Sequence, residues 1–399
     1  MTIVENKKIG MKSEKGILGV ILASATLTVM AGALIAPVIR AMIDPLGAPI
    51  ALIGLVITTH GLFAVIFSPV MGYLIDHVGR KPIYAFGLLI YGLGGGSGFF
   101  ISSFLLMLVS RAFLGIGVAA LVTSITTLIG DLYKAGPQRN RVMGWRSSAN
   151  SFGGIAYPLL GGFLGSLSWN FPFAVYFVGI PLGILSLYLL PKTYRFQDQK
   201  ETNEKEKNSL RKLIKGQPVL FFIYGLTLLA MIFLYIIVIQ IPQLLPEIGF
   251  SGTAFAGLFL SINALAAGVI SLNYGRIRSH LSYSRIILLF FIAWSSSYML
   301  LALVSNALFV VIALILAGIG HGLLLPAIYL WVTEIAPPAV RGKAVSYTTS
   351  FAYLGQFLSP VIFGSVFVTL GFNTSFLIIA IIAIIILLIL LYPLFKKLS

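Results

Sequence analysis

The sequence places few ionisable side chains inside its long apolar runs, and these side chains are its candidates for chemistry. Arg111 lies within one run, and His60 and His321 fall near the middle of two others. A cation at membrane depth is costly and indicates a functional site, with snorkelling of Arg111 to the interface as the alternative. Histidine titrates in the physiological range, so both histidines are predicted proton carriers unless they are structural. Arg40 and Asp44, just beyond the first run, are candidates for an outer gate.

Amide side chains accompany these groups at membrane depth, whereas carboxylates do not. The amides predicted to face a cavity are Asn150, Asn263, Gln240 and Gln356. No Asp or Glu lies in the central third of any apolar run. A cavity with Arg111, two histidines and no acid disfavours a cationic ligand. The sequence therefore predicts a hydrophobic substrate that is neutral, zwitterionic or anionic.

A short turn between two apolar runs carries a cluster of charges. Its residues are Gly72, Asp76, Gly79, Arg80 and Lys81. The flanking runs, 50–75 and 82–101, contain one histidine and otherwise no ionisable residue except tyrosine. A turn this short forces two membrane-length helices to lie antiparallel with their joint in water. An ordinary solvated turn without a function is the alternative interpretation.

The composition is that of a membrane protein. The chain has 399 residues, of which 58% are hydrophobic and 10% charged, and its mean hydropathy is +1.01. A soluble domain carries about 25% charged residues. The net charge of +16 would suit nucleic-acid binding on a soluble fold, but the basic residues lie between apolar runs and indicate membrane topology instead. There are no cysteines, and no His, Asp and Glu cluster has metal-ligand spacing, so no metal or other cofactor is predicted.

Twelve runs are long enough to cross a bilayer. The predicted spans are 16–39, 50–75, 82–101, 104–132, 141–165, 172–190, 218–245, 252–275, 285–304, 307–335, 340–368 and 372–395. The first span is too long for the core of a signal peptide, so we expect it to be retained. With a cytoplasmic N-terminus, 25 of the 27 Lys and Arg residues fall in inner segments. The positive-inside rule thus predicts a multi-pass cell-membrane protein with both termini in the cytoplasm.

The spans divide into two halves of six around a polar linker. The predicted units are 1–190, the linker 191–217 and 218–399. Segment 139–162 aligns with 341–364 at a constant offset of 202, and 115–117 matches 318–320. Internal repeats of this kind are typical of transporters. The sequence therefore predicts an all-α membrane protein with twelve transmembrane helices in two pseudo-symmetric six-helix bundles.

Glycines recur at spacings that favour close helix contacts. In the fifth span they form a motif with a tyrosine and a proline. The motif comprises Gly144, Gly153, Tyr157, Pro158, Gly161 and Gly162. A second glycine-rich run at 92–98 lacks the Gly-x-Gly-x-x-Gly spacing of a nucleotide-binding loop, so it is predicted to support helix packing.

Three of these patterns resemble the major facilitator superfamily of transporters. The turn spacing Gly-x-x-x-Asp-x-x-Gly-Arg-Lys resembles its loop between helices 2 and 3, although His77 stands where the family usually has Arg or Lys. Arg111, Gly115 and Gly117 resemble the helix-4 motif of proton-coupled members. The fifth-span motif resembles that of twelve-helix drug:proton antiporters, which have Gly at the position of Tyr157. The resemblance covers essentially the whole chain.

The resemblance implies a proton-coupled exporter that works by alternating access. Asp76 would pair with Arg80 and face the start of helix 11, and Asp131 would complete a charge cluster that holds the outward-facing state. Arg111 would influence the protonation of nearby groups. The equivalent turn of the second half, 275–280, lacks the acid, which implies a weaker cluster there. The implied partners are a small-molecule substrate, protons and the lipid bilayer, with no nucleic acid, and we expect a monomer.

Three other functions stay open at this point. A facilitator for a sugar or an organic anion would accumulate its substrate instead of expelling it. A lipid flippase on the same fold would need a lateral opening to the bilayer. A membrane enzyme or receptor is the third, but the sequence shows no nucleophile–base pair, phosphate loop or metal cluster that favours it.

Overall fold

The computed structural model describes residues 11–133, 136–191, 218–304, 306–337 and 341–395, and these residues form helices without a β-strand. The long helices are α1 (Met11–Ala33), α2 (Leu55–Val78), α3 (Arg80–Gly96), α4 (Phe104–Leu132), α5 (Pro137–Leu167), α6 (Gly179–Leu189), α7 (Pro218–Leu244), α8 (Thr253–Leu272), α9 (Tyr283–Ala302), α10 (Ala307–Ile335), α11 (341–370) and α12 (372–395). Apart from residue 191, the predicted linker lies outside the described residues.

The predicted number of membrane helices is confirmed. In hydrocarbon, backbone N–H and C=O groups must be satisfied within the segment, so apolar runs of this length form helices. Among the described residues, nine helical stretches are long and apolar enough to cross a membrane, and the last of them contains both α11 and α12. Counting that stretch twice and adding the 17-residue α3 and the more polar α5 gives twelve.

Proline and glycine move several helix ends away from their predicted positions. The first span was predicted to run to residue 39, but α1 ends at Ala33, and Pro37 lies in a separate 3-10 turn, Ala36–Val38. Proline has no N–H to continue a helix, which explains the break. Helices α11 and α12 are continuous except at Gly371, where φ is +73°, a conformation that favours glycine.

The two halves, α1–α6 and α7–α12, contact each other mainly through α5 against α8 and α2 against α11. We call the side of the molecule where α1 begins and α12 ends the terminal side, and the opposite side the far side. Four hydrogen bonds join the halves within the described residues, and all four lie in the far-side half of their helices. The halves are therefore joined at the far side.

The terminal-side ends of the same helices are open. Nothing lies within 4 Å of a Cβ built at Gly144 of α5 or at Gly342 of α11. Near these glycines, Trp145 is 39% exposed and Tyr347 is 44% exposed. The space between the halves, which we call the cleft, therefore opens to the terminal side and is closed at the far side.

Candidate functional site

The cleft has a polar wall on each side. Arg146 and Asn150 are four residues apart on α5 and share one face of it. Arg146 Nη1 donates a 3.0 Å hydrogen bond to Thr126 Oγ1 of α4. Across the cleft, Tyr329 of α10 and Tyr353 of α11 lie within electrostatic range of the Arg146 guanidinium. All five side chains are at least partly exposed, so the cleft presents a cation opposite two phenols.

His60 lies where the two halves meet at the inner end of the cleft. It is 2% exposed, and its Nε2 lies 3.4 Å from Nε2 of Gln356 in the other half. Its ring also makes an edge contact with Tyr353, with 6.5 Å between ring centroids. A Cβ at Gly115 would overlap the His60 carbonyl oxygen, so this glycine lets α4 approach α2. The predicted residues His60 and Gln356 are thus brought together.

Arg111 is placed inside the first half instead of in the cleft wall. It is fully buried, and its Nη2 donates to the Gly95 carbonyl at 2.7 Å and to Ser110 Oγ at 2.9 Å. Its guanidinium also lies over the rings of Phe173 and Tyr176, at 4.9 and 5.2 Å from their centroids. The snorkelling alternative is wrong, because the side chain has no exposed surface. Carbonyl oxygens and aromatic faces solvate this charge within the protein.

The glycine-rich run at the end of α3 leaves space for Arg111 and for Phe173 and Tyr176, which precede α6. A Cβ at Gly95 would lie 2.6 Å from the Tyr176 ring, and one at Gly94 would lie 2.8 Å from the Leu114 backbone nitrogen. Both distances are shorter than ordinary van der Waals contact. The run therefore supports helix packing, as its spacing predicted.

The fifth-span motif forms most of the far-side closure. A Cβ at Gly162 would lie 2.6 Å from the Thr253 carbonyl oxygen, and Thr253 Oγ1 donates to the Gly162 carbonyl at 2.8 Å. A Cβ at Gly257 of α8 would overlap the carbonyl of Pro158. On the other edge, a Cβ at Gly364 would overlap the Ala51 carbonyl. We call these backbone contacts between the halves the far-side seam.

The remaining motif residues contact the first half or nothing. Tyr157 Oη and Thr26 Oγ1 share a 2.6 Å hydrogen bond between α5 and α1, and the Tyr157 ring lies beside Gly153. A Cβ at Gly161 would overlap the Leu34 carbonyl of the same half. Gly144 faces open space. Only the far-side part of the predicted motif therefore takes part in contact between the halves.

A second cavity, of about 370 Å³, lies beyond the seam at the far side. Arg40 and Asp44 both line it, as do Gln240, Gln243 and Glu247 of the other half. Arg40 Nη1 donates to the Gln243 carbonyl at 3.0 Å, which joins the halves at this level. The predicted outer-gate residues are therefore together, although the arginine binds a carbonyl and not Asp44.

The remaining predicted cavity residues divide between cleft and core. His321 shares a face of α10 with Leu325 and Tyr329, is partly exposed, and its Nδ1 has no hydrogen-bond partner. Asn150 is half-buried, and its Oδ1 is likewise without a partner. Asn263 donates to the Leu314 carbonyl at 3.0 Å and so joins α8 to α10.

The charged turn at the terminal side is only partly assembled. Arg80 makes a salt bridge with Asp131, which connects the start of α3 to the end of α4. Asp76 is exposed and forms no salt bridge with the described residues. The structure therefore joins two members of the predicted cluster, in a conformation whose cleft is open at the terminal side.

Sequence inspection missed the equivalent contact of the second half. Tyr283 donates a 2.7 Å hydrogen bond to Glu334, and the Arg278 guanidinium lies 4.1 Å from the centre of the Tyr283 ring. Hydrogen bonding to Tyr283 raises the pKa of Arg278. The offset of 203 between Gly115 and Gly318 maps Asp131 onto Glu334 and Arg80 onto Tyr283. This offset could have predicted the contact. The turn 275–280 alone could not, because Glu334 lies on α10 and not in that turn.

Asp76 offers a test of the expected cluster. If its carboxylate stabilises the opposite conformation at the start of α11, Asp76→Asn removes a helix-dipole contact of about 0.5–1 kcal/mol and shifts the population about two- to fivefold toward the cleft-open state. The chain has no cysteine, so maleimide labelling of Thr126→Cys reports cleft opening directly. Glu247→Gln is the matched control at the far side. Equal labelling rates with and without Asp76→Asn would refute the cluster.

Comparison with known proteins identifies the family. The sequence model of the Major Facilitator Superfamily matches residues 21–283 and 236–397. The chain belongs to the Major Facilitator Superfamily. This superfamily member is 28% identical over 365 residues to the bacillibactin exporter of Bacillus subtilis. The aligned segment covers 86% of this chain and 88% of that protein.

Two further comparisons agree with this assignment. The class B tetracycline resistance protein of Escherichia coli is 29% identical over 340 residues, or 78% of each chain. The crystal structure of a mutant of the nucleoside transporter NupG has the same fold, with a TM-score of 0.75, 16% identity and coverage of 94% of this chain and 99% of that one. The protein is thus a multi-pass transporter of this superfamily, with curated relatives of the efflux type.

Proposed function

We propose that this transporter is a proton-coupled exporter of hydrophobic small molecules that are neutral, zwitterionic or anionic. The observation that carries the proposal is the cleft, which offers Arg146, His321 and aromatic hydroxyls below a closed far side. Within the described residues, carboxylates occur only near helix ends or in connections. They are Glu14, Asp44, Asp76, Asp131, Glu247 and Glu334. A positive cleft of this kind disfavours cations.

The direction of transport and the orientation of the protein in the membrane are inferred from two different observations. The relatives above carry names of exporters and resistance proteins, which favours efflux over uptake. The distribution of Lys and Arg favours a cytoplasmic terminal side in the cell membrane. With this orientation the cleft takes substrate from the cytoplasm. Rocking of the two halves about the cleft would then open the seam and release substrate outside.

Proton coupling is assigned to His60. Its ring touches both halves, so its protonation state bears on their contact. A neutral imidazole nitrogen accepts a hydrogen bond from the Gln356 amide, whereas a protonated imidazole has only donors. Proton entry from outside would therefore weaken this contact between the halves and favour their rearrangement.

Transport in everted membrane vesicles tests the function. Energised vesicles acidify their lumen, and an exported compound should release protons and partly collapse the pH gradient. We expect a response to neutral and anionic hydrophobic compounds and little response to quaternary ammonium dyes. Gly162→Val, which blocks the seam, is the matched inactive protein. Substrate accumulation by intact cells, or strong resistance to quaternary ammonium dyes, would contradict the proposal.

A further inference from the structure

Arg146 is a partly exposed cation in the cleft wall that has no anionic partner among the described residues. Its Nη1 hydrogen bond to the Thr126 hydroxyl is the one that Arg146 makes with the described residues. By contrast, Arg80 has Asp131, and Arg111 has backbone carbonyls inside the bundle. The partly exposed guanidinium keeps most of its five N–H donors available to an acceptor that enters the cleft.

Two aromatic side chains of the second half lie near the Arg146 guanidinium. Tyr329 and Tyr353 of the second half lie opposite the guanidinium. Thr349 lies beside Tyr329, and the ring of Tyr353 contacts that of His60. These side chains supply aromatic faces and hydroxyl groups to one ligand. One turn along α5, the partnerless Oδ1 of Asn150 adds a hydrogen-bond acceptor.

We propose that Arg146 forms a subsite for the carboxylate of an aromatic substrate, with Thr126 orienting the guanidinium and Tyr329 and Tyr353 enclosing the ring. The planar fork of arginine binds a carboxylate through two parallel hydrogen bonds, which a neutral amide or an ammonium group cannot reproduce. The proposal rests on the proposed export function and narrows its substrate class to aromatic carboxylates. Because the subsite takes residues from both halves, a bound carboxylate draws the two walls of the cleft together.

Binding of matched probes to the purified full-length protein in nanodiscs tests the subsite. The probes are 2-naphthoate, its neutral amide 2-naphthamide and the cation 2-naphthylmethylammonium, which share one ring system. We expect wild-type protein to bind the acid at least about tenfold more tightly than the amide, since hydrogen bonds to charged groups contribute about 1.5–3 kcal/mol. In Arg146→Gln this acid-to-amide ratio should fall to about one, while amide affinity changes less than about threefold.

Arg141→Gln is the matched control. Arg141 lies on the same helix, is exposed, and stacks on Trp145 at 4.8 Å from the ring centre, so its removal should leave the ratio unchanged. A wild-type protein that binds acid and amide equally, or a preference for the acid that survives in Arg146→Gln, would overturn the subsite. A loss of discrimination of equal size in Arg141→Gln would also overturn it, because the effect would then be one of general charge.

The vesicle assay separates failure of the subsite from failure of the export function. If Arg146→Gln still releases protons with neutral compounds and treats naphthoate as wild type does, the subsite is wrong and export stands. If wild-type protein binds naphthoate selectively but no compound releases protons, the subsite stands and proton-coupled export is wrong.

Discussion

Replacing Gly162 by valine should abolish transport in a protein that still folds. A Cβ at this position would lie 2.6 Å from the Thr253 carbonyl oxygen and 3.1 Å from the Gly257 Cα, both in the other half. Overpacking of this kind costs about 1–3 kcal/mol, which shifts an equilibrium by about five- to 150-fold. Because the added atoms clash only when the far-side seam is closed, the protein should be held in the opposite, far-side-open conformation.

Cysteine labelling measures this shift. Gln240 is 5% exposed beside the seam, so a Gln240→Cys thiol should react slowly with an impermeant maleimide in the otherwise cysteine-free chain. In the Gly162→Val background the reaction should be at least about fivefold faster. Gly364→Val tests the other edge of the seam. Gly144→Val is the control, since that position faces open space. Normal transport by Gly162→Val would contradict the predicted clash at the seam.

His60→Ala should uncouple protons from substrate movement. The substitution removes the ring that contacts Gln356 and Tyr353, and with it the titratable group at the junction of the halves. We expect compound-induced proton release to fall at least about tenfold, by analogy with the effect of removing a positioned proton-transfer group. Exchange of substrate down its own gradient should persist, because Arg146, Asn150 and Tyr329 stay in the cleft walls.

Two comparisons make the histidine experiment decisive. His280 is exposed at the end of the short helix Tyr274–His280, so His280→Ala should leave the pH profile of transport unchanged. His321→Ala tests the second cleft histidine in the same assay. Unchanged pH profiles in both His60→Ala and His321→Ala would exclude histidine as the proton carrier.

The number and arrangement of helices were predictable from the sequence, whereas the partners of the polar groups were not. Apolar run length is set by the bilayer, so each span was visible locally. Arg146 was counted among the charges that set topology, because it lies only five residues after the start of the predicted span 141–165. Its place in the cleft wall depends on how the two halves separate at the terminal side, which no local pattern encodes.

The contacts of the fifth-span glycine motif were likewise predictable only in part. Its spacing predicted close helix contacts, and the structure has them. Spacing alone could not show that Gly161 meets Leu34 of its own half while Gly162 meets Thr253 of the other. The two positions are adjacent in sequence, and their difference arises from the 100° rotation between successive residues of a helix. Only the packed structure distinguishes the contact within one half from the contact between the halves.

The far-side seam is made largely of backbone atoms, and this has an evolutionary consequence. Gly162, Gly257 and Gly364 touch carbonyl groups that every residue possesses. The walls of the cleft, by contrast, are defined by side chains. The proposed subsite therefore implies that mutations that exchange Arg146 or Tyr329 alter which compounds are accepted without disturbing closure. Related transporters with this fold can therefore evolve new substrate ranges while the far-side seam stays the same.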